Sequence, residues 1–180
     1  MKDPQPQIYE INMSKAKTVA FMGIFCTLAL ILSYLESLIP ISFGIPGVKL
    51  GLANLVIVFM LYFMKPGYAV IVNLVRVVLA GLLFGNVFGI IYSAAGAIVS
   101  FLVMWPLSRI KKFSVIGVSV AGGIAHNMGQ LIVAVFVVGA VQVMYYVPVL
   151  LISGVVTGIV MGIIAKIMIN NIKKIGFFRV

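Results

Sequence analysis

The residue with the clearest capacity for chemistry is Arg76, in the run NLVRVVLAG. Asn73, Arg76 and Ala80 are spaced by three and four, so a helix places them on one face, polar at its centre and small at its outer end. A guanidinium so placed can hold a phosphate or a carboxylate through paired hydrogen bonds. The surrounding run is apolar, and a charge at mid-bilayer costs roughly 3 kcal/mol on insertion scales, so Arg76 must face a partner or an aqueous cavity. Two partners fit: an anionic ligand, or Glu36, the only acid in the apolar region and close to the outer end of the first apolar run. Spacing alone leaves both open.

A second polar group lies in GGIAHNMGQ, where His126 and Gln130 are four apart and Asn127 is adjacent. Imidazole and amide groups can orient a ligand by hydrogen bonds, or can bond across to a neighbouring helix. His126 is the only histidine and Cys26 the only cysteine, so no metal site is expected; Cys26 reads as a small packing residue. A third candidate is Lys49 in PGVKLGLAN, residues 46–54. A helix starting near Gly51 or Leu52 would point backbone N–H groups toward that loop, and helix N-termini favour anions. The loop then reads as an anion-capturing lid, with headgroup snorkelling by Lys49 as the alternative. Asn54 and Asn86 lie at the outer ends of apolar runs with Tyr34, Tyr92, Tyr145 and Tyr146, the tyrosines being better read as interface anchors. The expected binding set is Glu36, Lys49, Asn54, Arg76, Asn86, His126, Asn127 and Gln130, converging in an outward-facing pocket of positive bias.

The elements that must position these groups are membrane helices. The chain of 180 residues is 63% hydrophobic and 9% charged, against about 25% charged in soluble domains. Proline, glycine and charge punctuation predicts six spans, at about residues 15–39, 50–64, 68–84, 87–108, 117–139 and 143–169. The second and third are short and divided by Lys65-Pro66-Gly67, which predicts a tight helical hairpin, one part of which need not cross fully. The fold class expected is therefore an all-α six-transmembrane-helix bundle. A polar tail occupies 1–14, the bundle 15–170 and a basic tail 171–180. The first apolar run exceeds a signal-peptide core and reads as a retained helix.

Eleven of the thirteen basic residues fall on one side of such a bundle, which puts both termini in the cytoplasm and the protein in the cell membrane. Only Lys49 and Arg76 break that pattern. The net charge of +10 flanks the spans rather than forming one solvated face, which argues against a nucleic-acid partner. Gly81, Gly85 and Gly89, and again Gly154, Gly158 and Gly162, recur every four residues and predict close helix packing. Ala16, Ala20, Gly23 and Thr27 form a further small-residue stripe in the first span, suited to a partner helix or to packing within the chain.

The AKTVA that opens span 1, with Ala16 and Ala20 in an AxxxA arrangement, and the irregular loop before span 2 resemble the substrate-binding S components of energy-coupling factor (ECF) transporters. More narrowly, PGVKLGLANLV followed by NLVRVVLAGLLFG is similar to the Gx transporter family, also labelled heptaprenyl diphosphate synthase component I, over about residues 15–170. The resemblance implies an outward pocket capped by the loop between spans 1 and 2. It also implies partners: a transmembrane coupling subunit docking on Ala16, Ala20 and Gly23, and two cytoplasmic ATPases. As substrate it implies a flavin first and an isoprenoid or quinone precursor second. No resident cofactor is expected.

The chain has no GxxxxGK[ST] loop with which to hydrolyse ATP. Prenyl elongation in the familiar synthases needs aspartate-rich magnesium sites, and the only aspartate is Asp3. The synthase label therefore fits at most a noncatalytic accessory subunit, anchored to a soluble enzyme through the basic segment Arg109 to Lys112 and the C-terminal tail. An enzyme using Glu36 and His126 for proton transfer ranks below both readings.

Overall fold

The computed structural model describes residues 14–38, 51–138 and 141–175. All its regular elements are helical: α1 (Lys15–Leu38), α2 (Leu52–Phe63), α3 (Pro66–Phe84), α4 (Val87–Arg109), α5 (Val115–Val138) and α6 (Val147–Ile175), the last preceded by a 3-10 segment, Val141–Tyr146. Lys65 adopts an extended conformation and Pro66 opens α3, where a missing N–H and a fixed φ cost nothing. Asn86 caps α4, its side-chain oxygen accepting the Gly89 N–H at 2.7 Å. α6 continues into the stretch expected as the C-terminal tail.

Among the described residues five helices are long and apolar enough to cross a membrane: α1, α3, α4, α5 and α6. The second expected span, already the shortest of the six, is the one that falls short. α2 has 12 residues and so extends about 18 Å, short of the roughly 30 Å hydrocarbon core. Beyond Asn54 its sequence, LANLVIVFMLYF, is apolar on every side, and such a helix belongs in an interior. Val56 through Met64 are each no more than 3% exposed.

α2 contacts each of the other five helices, while α1, α3, α4, α5 and α6 follow one another around it. α1 and α6 do not meet; α2 lies between them. Aromatic pairs fix the directions. Phe25 of α1 packs on Phe59 of α2 at 5.5 Å between centroids, and Glu36 meets Gly51, so α2 runs antiparallel to α1. Tyr34 and Phe84 pack at 4.9 Å, so α1 and α3 end on the same side.

Glycines set the spacing of the second half. A Cβ on Gly158 would lie 2.5 Å from Val120 Cα, and one on Gly162 2.7 Å from Ile116 Cα, so α6 lies backbone to backbone on α5. Gly123 and Gly154 face each other across the same seam. On its other side α5 meets α4, with Gly122 under Met104 and Ser100, and Gly129 against Ala95 and Gly96. Both pairs are antiparallel. With α4 returning beside α3 through the Gly81–Ile90 contact, the chain reverses direction five times and brings the start of α1 and the end of α6 to one side. The ridge expected at Gly81, Gly85 and Gly89 is not continuous, because Gly85 is the C-cap of α3 and Gly89 lies in the cap of α4.

Candidate functional site

Arg76 lies on the inward face of α3 and is 8% exposed. Its Nη2 donates to Asn73 Oδ1 at 2.6 Å, one turn earlier on the same face. Arg76 Nε has no hydrogen-bond partner among the described residues. The guanidinium is within electrostatic reach of the Glu36 carboxylate and the Cys26 thiol, both on α1. Burying a guanidinium is costly unless it is paired and hydrogen-bonded, and Asn73 and Glu36 supply part of that compensation.

Glu36 does a second task. Its Oε1 accepts the Gly51 N–H at 2.6 Å, joining the outer part of α1 to the start of α2. Gly51 has φ 70°, a left-handed conformation that L side chains rarely adopt. The backbone N–H expected to face an incoming anion is thus used by the chain's own carboxylate. Asn54 follows one turn into α2, half-buried, with its backbone N–H bonded to Gly51 O at 2.9 Å. Lys49 and the rest of the 39–50 segment lie outside the described residues.

The second expected cluster divides between two interfaces. Asn127 turns toward α6 and donates from Nδ2 to Leu150 O at 2.8 Å. His126 and Gln130 turn toward α4, where a Cβ on Gly96 would lie 2.9 Å from His126 Cε1 and 2.8 Å from Gln130 Cγ. Gln130 is 1% exposed and neither of its amide atoms has a hydrogen-bond partner among the described residues; Ser100 Oγ is in the same state. Asn86 is exposed and engaged as the α4 cap.

The structure therefore groups Glu36, Asn54 and Arg76 around α1, α2 and α3, and places His126 and Gln130 in a separate seam between α4 and α5. α3 and α5 do not touch. Asn73 belongs to the first group, and its spacing from Arg76 was the signal for it. Ser100 and Gly96 belong to the second, four apart in SAAGAIVS, a small-residue spacing that gives no sign of its polar neighbours. Tyr62, fully buried in α2 with its hydroxyl unpartnered among the described residues, is a further polar group that its apolar surroundings hide.

On α1, Ala16, Ala20, Gly23 and Thr27 are all exposed, and a Cβ on Gly23 would meet nothing within 4 Å. Packing within the chain does not use that stripe among the described residues. Arg109, Lys111 and Lys112 lie where α4 turns toward α5, with Lys111 and Lys112 exposed.

No curated protein and no solved structure matches the chain at a significant level. A family profile described as heptaprenyl diphosphate synthase component I matches residues 25–168, which include Arg76, the glycine seams and all of α2 through α5. With four-fifths of its length in that match and a bundle of apolar membrane-type helices around it, the chain belongs to the heptaprenyl diphosphate synthase component I family.

Proposed function

We propose that the chain is the substrate-binding membrane component of an ECF-type uptake transporter, taking a small anionic or vitamin-like molecule, best a flavin, from the extracellular side. The observation that carries this reading is Arg76: a nine-tenths buried guanidinium in a spanning helix, held by Asn73 and with Nε unpartnered among the described residues. Charges within membrane helices cost enough that they mark ligand paths more often than packing. Arg76 and Lys49 meet the polar end of the ligand, and Asn54 and Glu36 line the approach beside the start of α2. Asn127 and Gln130 act from the other side of the bundle. The exposed Ala16, Ala20 and Gly23 stripe is where a coupling subunit docks, since small residues let helix backbones approach closely. Two ATPases then supply the energy that this chain has no phosphate loop to supply.

A second reading takes the family's printed description at its word: a noncatalytic membrane subunit in prenyl diphosphate metabolism. The observation in its favour is the exposed pair Lys111 and Lys112 beside Arg109, a basic surface able to hold a soluble partner.

The discriminating experiment is purification in mild detergent followed by absorbance and mass spectrometry of whatever co-purifies, then titration of candidates against the wild type and Arg76→Ala. A bound flavin lost in Arg76→Ala supports the transporter reading. A chain that binds no small molecule, yet loses a soluble partner when Lys111 and Lys112 are neutralised, supports the accessory subunit.

A further inference from the structure

Part of the positive bias expected of the outer half is offset within the chain. Glu36 is the only carboxylate between residues 14 and 175, the other two acids being at positions 3 and 10. Its Oε1 sits 2.6 Å from the Gly51 N–H, at the N-terminal end of α2, where a ligand anion would otherwise be held. The same carboxylate lies within electrostatic reach of Arg76. One buried cation and one carboxylate thus share the region around α1, α2 and α3. Arg76 is buried there and Glu36 half-buried, so the two charges interact more strongly than in bulk water.

We propose, on the basis of the binding reading above, that Glu36 is a resident counter-anion that sets the charge of the ligand: the site takes a neutral or singly charged group and rejects a diphosphate or a phosphate dianion. A multiply charged ligand would have to displace Glu36 from Gly51 or endure its repulsion beside Arg76. Specificity by a like charge placed against the wrong ligand is a general device. Riboflavin is then preferred over riboflavin 5′-phosphate, and a prenyl diphosphate is excluded.

Glu36→Gln tests this, because the amide oxygen can still accept the Gly51 N–H while the charge is gone. The full-length protein in detergent is melted with pyrophosphate or with chloride at matched ionic strength. The expected result is no pyrophosphate-specific shift in the wild type, a rise of about 2 °C or more in Glu36→Gln, and loss of that rise in Glu36→Gln/Arg76→Gln. Equal stabilisation of wild type and Glu36→Gln overturns the proposal, as does a Glu36→Gln protein that ignores pyrophosphate. Should Glu36→Gln not fold, the wild type decides alone: tighter binding of pyrophosphate or riboflavin 5′-phosphate than of riboflavin overturns the proposal, and the reverse order supports it. Failure of the transporter reading has a different signature, since a protein that binds no flavin can still give the pyrophosphate contrast between wild type and Glu36→Gln.

Discussion

At the scale of single residues, a group's cost of burial decides its interpretation. Arg76 is compensated by Asn73 and Glu36, so removing Asn73 should be felt through Arg76. Asn73→Leu is expected to weaken ligand binding about tenfold, the loss of one charge-assisted hydrogen bond, while the protein still inserts and remains monodisperse on size-exclusion chromatography; titration of the co-purifying ligand checks it. Gln130 and Ser100 present the opposite case. Two amide atoms and a hydroxyl without partners among the described residues lower stability by about 1–3 kcal/mol per group. Gln130→Leu should therefore leave the melting temperature unchanged or raise it. If ligand affinity falls in the same variant, Gln130 contacts the ligand; if affinity holds, it does not.

At the scale of elements, glycine spacing separates two kinds of surface that look alike in the sequence. Gly154, Gly158 and Gly162 are filled by α5. Gly158→Leu must push α6 off Val120, and it should cost several kcal/mol by overpacking, seen as a loss of folded protein in detergent extracts. Ala16, Ala20 and Gly23 have open space instead. Ala20→Trp should leave melting and ligand binding within error of the wild type while abolishing co-purification of a coupling subunit; retained co-purification would remove α1 as the docking face. Both stripes were visible as small residues at helical spacing. Only the packing distinguished a stripe filled within the chain from one left exposed among the described residues.

At the scale of the whole molecule, α2 organises the bundle. It touches every other helix, and its side chains are buried on all sides. Lipid is as apolar as these side chains, so the stabilisation comes from close packing rather than from exclusion of water. Phe59, which stacks on Phe25 and Phe63, is fully enclosed, and Phe59→Ala should destabilise the protein by about 3 kcal/mol. A melting curve in detergent checks this, and a change within error would mean that α2 is not the centre of the bundle.

The membrane class, the helical content, the hairpin at Lys65-Pro66-Gly67 and the candidacy of Arg76 followed from the sequence alone. Each depends on local properties: run length, hydropathy, the missing proline N–H, and the cost of an isolated charge in an apolar run. Asn86 and the polar residues of α5 were equally visible, but their roles were not, because a short polar side chain caps a helix, bridges two helices or meets a ligand with the same composition. The tertiary structure decided that Asn86 caps α4, that Asn127 bonds Leu150, that His126 and Gln130 face Gly96 rather than Arg76, and that Glu36 holds Gly51. It also decided that α2 is a central helix and not a sixth full span. Those outcomes depend on which helices become neighbours, and neighbours distant along the chain are selected by packing of whole faces, which no short stretch of sequence encodes.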